Sequence, residues 1–252
     1  MADASPSLAQ LRAEIDEIDD ALLTLLERRI AIGRRVAAAK GDASGPFLRP
    51  GREAQILRRL AARLGGSDLP VPVMERVWRE ILAANLARQV EPVTVVWAPA
   101  GAEALVDLAH DRGGVSTRVE TVTGPAAALA AVAEGRATLA VLPTPELTAW
   151  RWWPTLLVDS PAKPRIVARL PLFGDLGPGA VAGVGVACQA PDPSGDDVTL
   201  WAVPGDLPEA VDRATGADGA ALSLLAVDGW PDAGDLPAGA IMIGAYARTH
   251  SY

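Results

Sequence analysis

An arginine sits in the middle of a greasy helical stripe. Leu8, Leu11, Ile15, Ile18, Leu22, Leu25, Ile32 and Val36 recur in alternating steps of three and four, and Arg29 occupies one step of that series. Glu53 stands one turn before the stripe Leu57, Leu60 and Leu64, and the stripe Met74, Trp78, Ile81, Leu82 runs on into Asn85 and Gln89. Buried without partners, such groups cost several kcal/mol, roughly 1–3 for each polar group and more for each charge. An internal salt bridge such as Arg29 with Glu53 is the simplest remedy, but Arg12, Arg29, Lys40 and Arg52 face only one matched acid, Glu53. An inward positive excess points to an anionic ligand.

Helix geometry sorts these groups. Lys40 follows Arg29 by 11 residues, about 16 Å along one face, so two long side chains can converge on one small molecule. Arg12 precedes Arg29 by 17 residues, about 25 Å along the same rod, too far to share a small ligand within one chain. If Arg12 belongs to the same site, a second copy of the helix supplies it, through an antiparallel pairing of the 3–4 seam.

The elements that must position them are three helices. The first spans Leu11 to Lys40. The second starts at Pro50, after the breaker GDASGP, and runs to Gly65-Gly66. The third follows Pro72 and carries VMERVWREILAANLARQ. Helical periodicity stops near Glu91-Pro92, where the β-rich run VTVVW begins, and the charge changes there too. Residues 1–91 are nearly balanced, while in 92–252 acids outnumber bases by two to one within a net charge of −8. This predicts an all-α three-helix domain over 1–91 and an α/β domain over 92–252. In the second, strands at 93–97, 115–122 and 137–142 alternate with helices at ALVDLAHD and PAAALAAVAEG, and further strands follow at RIVARL, VTLWAV and AIMIGAY.

Composition excludes several classes. The acidic second half is a poor match for nucleic acid or an anionic membrane surface. No stretch offers about 18 consecutive apolar residues and the N-terminus has no leader pattern, so a cytoplasmic protein is expected. Cys188 is a lone cysteine in an apolar setting, and His110 and His250 are the only histidines, so neither a disulfide nor a metal site is expected. Gly183-Val-Gly185 lacks the third glycine and following helix of a dinucleotide fingerprint. No cofactor is expected.

Taken in order, LR at Leu11-Arg12, ERR ending in Arg29, Lys40, the pair Arg52-Glu53, Asn85 and Gln89 resemble the all-helical, type II chorismate mutase family over residues 8 to 90. The resemblance implies an intertwined homodimer that rearranges chorismate to prephenate, an isomerase of aromatic amino acid biosynthesis in the shikimate pathway. It implies that Arg29 and the partner chain's copy of Arg12 hold the two carboxylates. Lys40 and Gln89 would hydrogen-bond the ether oxygen, and Arg52, Glu53 and Asn85 would orient the ring hydroxyl and the remaining polar edge. Two positions depart from the family's best-known bacterial members: Arg49 stands where they carry an aspartate, and Asn85 where they often have a serine. On the same scaffold, isochorismate pyruvate-lyase chemistry is the alternative reading. An inactive helical dimer with a regulatory α/β module is the alternative of a different class.

The second half resembles prephenate dehydratase in the order of its segments: VVWAPAGAEAL, AAVAEGRATLAVLPTPE, DDVTLWAV, and a closing IGAYA similar to the last strand of an ACT-type domain. The residues that chemistry needs are replaced. Ala102 and Glu103 stand for Thr-Phe of the first loop, Thr144 and Pro145 lie in the second motif, and Thr199 alone survives of Thr-Arg-Phe, with Leu200 and Trp201 after it. A degenerate, non-dehydrating domain is expected rather than a bifunctional mutase and dehydratase, and residues 1–91 alone are expected to keep the mutase chemistry. Trp150, Trp152 and Trp153 are expected either to pack locally, to line a pocket or to cover the helical dimer.

Overall fold

The computed structural model describes residues 6–39, 46–145, 150–157, 163–174 and 180–251. It divides into two compact units, Met1–Gly45 and Pro46–Tyr252. The first is helix α1, Leu8–Ala39. Its start is set by a reciprocal capping box: the Ser7 N–H donates to Gln10 Oε1 at 2.7 Å, and the Gln10 N–H donates to Ser7 Oγ at 3.3 Å. The apolar stripe is exposed along its length, from Leu8 and Leu11 through Ile18, Leu22 and Leu25 to Val36.

The second unit begins with α2, Pro50–Arg63, and α3, Val71–Ala87, each with a proline in its first turn. Then come β1 Val93–Val96, α4 Leu105–Gly113, β2 Arg118–Thr121, α5 Pro125–Ala133 and β3 Leu139–Pro143. The chain closes with β4 Arg165–Leu170, β5 Gly183–Ala187, β6 Asp197–Pro204, β7 Asp212–Thr215, β8 Ala221–Asp228 and β9 Ile241–Ala247. One nine-stranded sheet runs β2-β1-β3-β5-β4-β9-β6-β8-β7. β1 pairs in parallel with β2 and β3, the arrangement that crossover helices α4 and α5 require. β5 is antiparallel to β3 and β4, and β9-β6-β8-β7 is an antiparallel ribbon. The parts meet where β4 and β9 run in parallel, through the pair Ile166 with Gly244 and a bridge between Phe173 and His250 beyond the strand ends; a Cβ on residue 244 would lie 2.3 Å from the Ile166 carbonyl oxygen. The closing IGAYA is therefore an inner strand of this one sheet.

The composition change at Glu91-Pro92 does not coincide with a break in packing. Ala54 and Leu57 of α2 and Met74 of α3 form one buried cluster with Leu172, Phe173 and Ala247 of the α/β part. Arg58 of α2 donates to Ser194 Oγ at 3.0 Å and to the carbonyls of Asp196 and Arg248 at 2.9 and 2.8 Å. Both helices are thus fastened to the sheet.

Gly183 and Gly185 belong to β5, a strand that sequence patterning missed. A Cβ at 183 would come within 2.7 Å of Leu105, and one at 185 within 3.0 Å of Leu139, so glycine here admits large neighbours rather than a nucleotide. Trp152 and Trp153 are buried in the sheet's core, their Nε1–H groups donating to the Pro143 carbonyl and to Asp212. Trp150 meets Trp97 edge-on at 6.1 Å. Local packing is their role. No helix among the described residues is long and apolar enough to cross a membrane.

Candidate active site

Glu53 lies in the first turn of α2, and that turn is held from far along the chain. Asp192, in the loop between β5 and β6, accepts the Gly51 N–H on Oδ1 at 3.0 Å and the Arg52 N–H on Oδ2 at 3.2 Å, with Arg49 Nε also at 3.2 Å from Oδ2. Arg49 at the N-cap position makes no side-chain cap of its own, so an acid 141 residues away does that work. The approach is close enough to demand glycine, since a Cβ on Gly51 would stand 2.1 Å from the Asp192 carbonyl oxygen.

Two guanidiniums converge on one oxygen of Glu53. Arg112 Nη1, from the last turn of α4, donates to Oε2 at 2.8 Å, and Arg79 Nη1 of α3 donates to the same oxygen at 3.3 Å. Arg79 also reaches Glu75 one turn back at 3.3 Å. All four side chains are 10–15% exposed. Burial alone would raise the Glu53 pKa, but the charges of Arg112 and Arg79 outweigh it and hold the carboxyl below its ordinary value. Glu75 goes the other way, because burial outweighs its single arginine. Burial, together with the nearby charge of Arg112, lowers Arg79. Nε and Nη2 of Arg112 are buried without a hydrogen-bond partner among the described residues. Arg79 and Arg112 also edge a cleft of about 210 Å³ between α3, α4 and the segment after β4, whose rim carries an Arg76–Asp111 ion pair.

The other expected residues fall into smaller groups. Arg52 is exposed, its guanidinium donating to Gln55 at 3.1 Å. Asn85, in the last turn of α3, and Gln89, in the turn just after the helix, are both half-buried, and the Gln89 amide donates to the Asn85 carbonyl at 3.1 Å. No hydrogen bond among the described residues joins this pair to Glu53. On α1, Arg12 is exposed and Arg29 half-buried, with its pKa lowered by desolvation. Lys40 lies outside the described residues. The carboxylate suggested as a partner for Arg29, that of Glu53, is engaged by Arg79 and Arg112.

Arg79, Arg112 and Asp192 went unnoticed in the sequence. Arg79 had a local signal in its four-residue spacing from Glu75. Arg112 and Asp192 meet α2 only through the fold, 59 and about 140 residues away.

At the positions similar to dehydratase motifs, the polar groups are occupied. The Thr199 hydroxyl accepts the Trp201 indole N–H at 2.9 Å and donates to the Val227 carbonyl at 3.2 Å, and it is wholly buried. Glu103 accepts the Gly101 N–H.

Comparison with known proteins matches residues 11–90 to the family model chorismate mutase type II. A bifunctional chorismate mutase/prephenate dehydratase of Aquifex aeolicus is 35% identical over 83 residues, 32% of this chain and 23% of that protein. An intracellular chorismate mutase of Mycolicibacterium smegmatis is 33% identical over 69 residues, 27% of this chain and 66% of the relative. A 4-amino-4-deoxychorismate mutase of Streptomyces venezuelae is 41% identical over 54 residues, 21% of this chain and 52% of the relative. The chain thus spans about a quarter of the Aquifex protein's length. Among solved structures, a quorum-quenching acylase, GqqA, is similar at a TM-score of 0.44 with 18% identity, covering 63% of this chain and 96% of its own. Prephenate dehydratase from Streptococcus mutans is similar at 0.42 with 11% identity, covering 63% and 99%. Residues 11–90 of this chain belong to the type II chorismate mutase family.

Proposed function

We propose that this protein is a chorismate mutase, acting as a homodimer on chorismate to give prephenate on the route to phenylalanine and tyrosine, and, like its intracellular relative, in the cytoplasm. The observation that carries the reading is the retention, in order and within the matched domain, of Arg29, Lys40, Glu53 and Gln89. The chemistry suits those residue types. A pericyclic rearrangement breaks the ether C–O bond as a C–C bond forms, and it needs neither nucleophile nor proton shuttle. It needs a diaxial conformer held in place and stabilisation of the charge growing on the ether oxygen. Arg29 and Arg12 of the second copy bind the carboxylates, Lys40 and Gln89 face the ether oxygen, and Arg52, Glu53 and Asn85 orient the hydroxyl edge.

Glu53 bears on the choice between chorismate and its 4-amino analogue. A carboxylate already facing two guanidiniums has little attraction left for an ammonium, yet it still accepts a hydrogen bond from a neutral hydroxyl. That favours chorismate. The dimer is supported by the exposed stripe of α1, which over 32 residues has no cover within its own unit. The α/β half is read as non-dehydrating, because Thr199 is consumed by Trp201 and Val227 and no arginine stands beside it in the motif.

The test is to follow loss of chorismate with purified full-length protein and identify the product. Prephenate is expected. Pyruvate release from isochorismate in place of mutase turnover, faster turnover of 4-amino-4-deoxychorismate, or no turnover at all would each replace this reading.

A further inference from the structure

We propose that Arg112, on α4 of the α/β half, is a positioning residue of the mutase site, holding Glu53 in place so that this carboxylate can receive the substrate's hydroxyl. The inference rests on the mutase reading and concerns what sustains its one acidic group.

Glu53 is the sole acid in the proposed substrate set, and it must stay ionised while largely out of water. Its surroundings come from three elements. α3 presents Arg79, whose second nitrogen is spent on Glu75; α4 presents Arg112, with Asp111 beside it engaged by Arg76; β4 presents Arg169, which lines the same small cavity as Glu53 and donates to the Tyr246 hydroxyl. Of these, Arg112 makes the shortest contact, 2.8 Å, and Glu53 is its only salt-bridge partner among the described residues. Both contacts fall on Oε2, so the guanidiniums fix one oxygen and set the direction of the other. Arg112 is itself anchored, because α4 packs on the sheet through Leu105 and Ala109. A domain boundary drawn at residue 91 would cut this pair apart.

A purely structural ion pair between α2 and α4 would affect folding but not the titration of catalysis, so the test reads titration. Full-length Arg112→Gln, Arg112→Lys, Glu53→Gln and the Glu53→Gln/Arg112→Gln double variant are compared with wild type for kcat and KM on chorismate across acidic to neutral pH, with thermal melting to confirm folding. Arg112→Gln is expected to lower kcat/KM by about ten-fold or more and to move the acid limb of its pH profile to higher pH, because Glu53 loses the charge that keeps it ionised. Arg112→Lys should restore the limb to near its wild-type position. The double variant, which leaves no unpaired charge and so folds even where Arg112→Gln does not, should be no slower than Glu53→Gln alone. An unmoved acid limb in folded Arg112→Gln, or a double variant markedly slower than Glu53→Gln, overturns the inference while leaving the mutase reading intact. A wild type without mutase turnover overturns both.

Discussion

Lys40 and Glu53 divide the proposed chemistry between them, one facing the charge that develops at the ether oxygen and the other the hydroxyl that stays neutral. Lys40→Ala should lower kcat by orders of magnitude with the dimer still folded, because it removes an interaction that strengthens only in the transition state. Steady-state kinetics on a variant with an unchanged melting curve checks this, and near-normal turnover would remove Lys40 from the site. Glu53 also carries a stability prediction. Its folded-state pKa lies below the ordinary carboxylate value, so its contribution is present above the unfolded pKa and lost as pH falls through the folded one. Wild type should therefore lose stability on acidification below the ordinary carboxylate value, and part of that loss should vanish in Glu53→Gln. At neutral pH the same substitution leaves Arg112 buried against a neutral amide and Arg79 with Glu75 alone, costing about 3–5 kcal/mol by analogy with broken buried pairs. Denaturant melts at two pH values separate the two effects. Of these residues, sequence pattern located Glu53 by its place on the α2 stripe but not its partners, since a pair 59 residues apart leaves no periodic trace.

At the scale of elements, α1 and α2 were legible for different reasons. The 3–4 spacing of α1 survives intact in the structure, and Pro50 followed by Leu57, Leu60 and Leu64 marked α2. β5 was not legible because GVGVA alternates glycine with valine, and those glycines answer to Leu105 and Leu139, which lie elsewhere in the chain. β7, with the sequence DRAT, has no apolar alternation at all and is a strand only because β8 lies beside it. The start of α2 depends on its contact with residue 192, and Gly51→Ala tests that dependence. An added methyl meets backbone, which cannot rotate away, so a loss of about 1–3 kcal/mol or more is expected. Asp192→Ala should cost about 1 kcal/mol through the lost cap. In both cases chemical denaturation gives the number, and an unchanged midpoint for Gly51→Ala would mean the loop yields freely. On α1, Ile18→Glu with Leu22→Glu places charge in the middle of the exposed stripe. Sedimentation should then report monomer where wild type reports dimer, with mutase activity lost in parallel.

For the whole molecule, the packing of α2 and α3 on the sheet changes what a truncation should do. Residues 1–91, expected from sequence to suffice for the mutase reaction, would leave Leu57 and Met74 without Leu172, Phe173 and Ala247, Arg58 without its three acceptors, and Glu53 without Arg112. Losing such burial costs about 2–5 kcal/mol per large side chain, so the fragment should be poorly folded and weakly active even though every proposed ligand lies within it. On this reading the α/β half is a scaffold for the proposed site. The proposed dimer sets the last requirement. Arg12 and Arg29 stand 17 residues apart on one helix, about 25 Å along its axis, so no single copy of α1 can bring both to one small dicarboxylate. On the proposed reading each site therefore takes Arg29 from one chain and Arg12 from the other. An Arg12→Ala chain mixed with an Arg29→Ala chain, each inactive alone, should recover activity in the heterodimer. One of its sites then carries both substitutions and the other carries neither. Subunit exchange is verified by a mass tag on one chain, and activity is followed as exchange proceeds. Recovery that tracks heterodimer formation is the expected outcome, and complete exchange without recovery would mean that each site is built from a single chain and that Arg12 lies outside it.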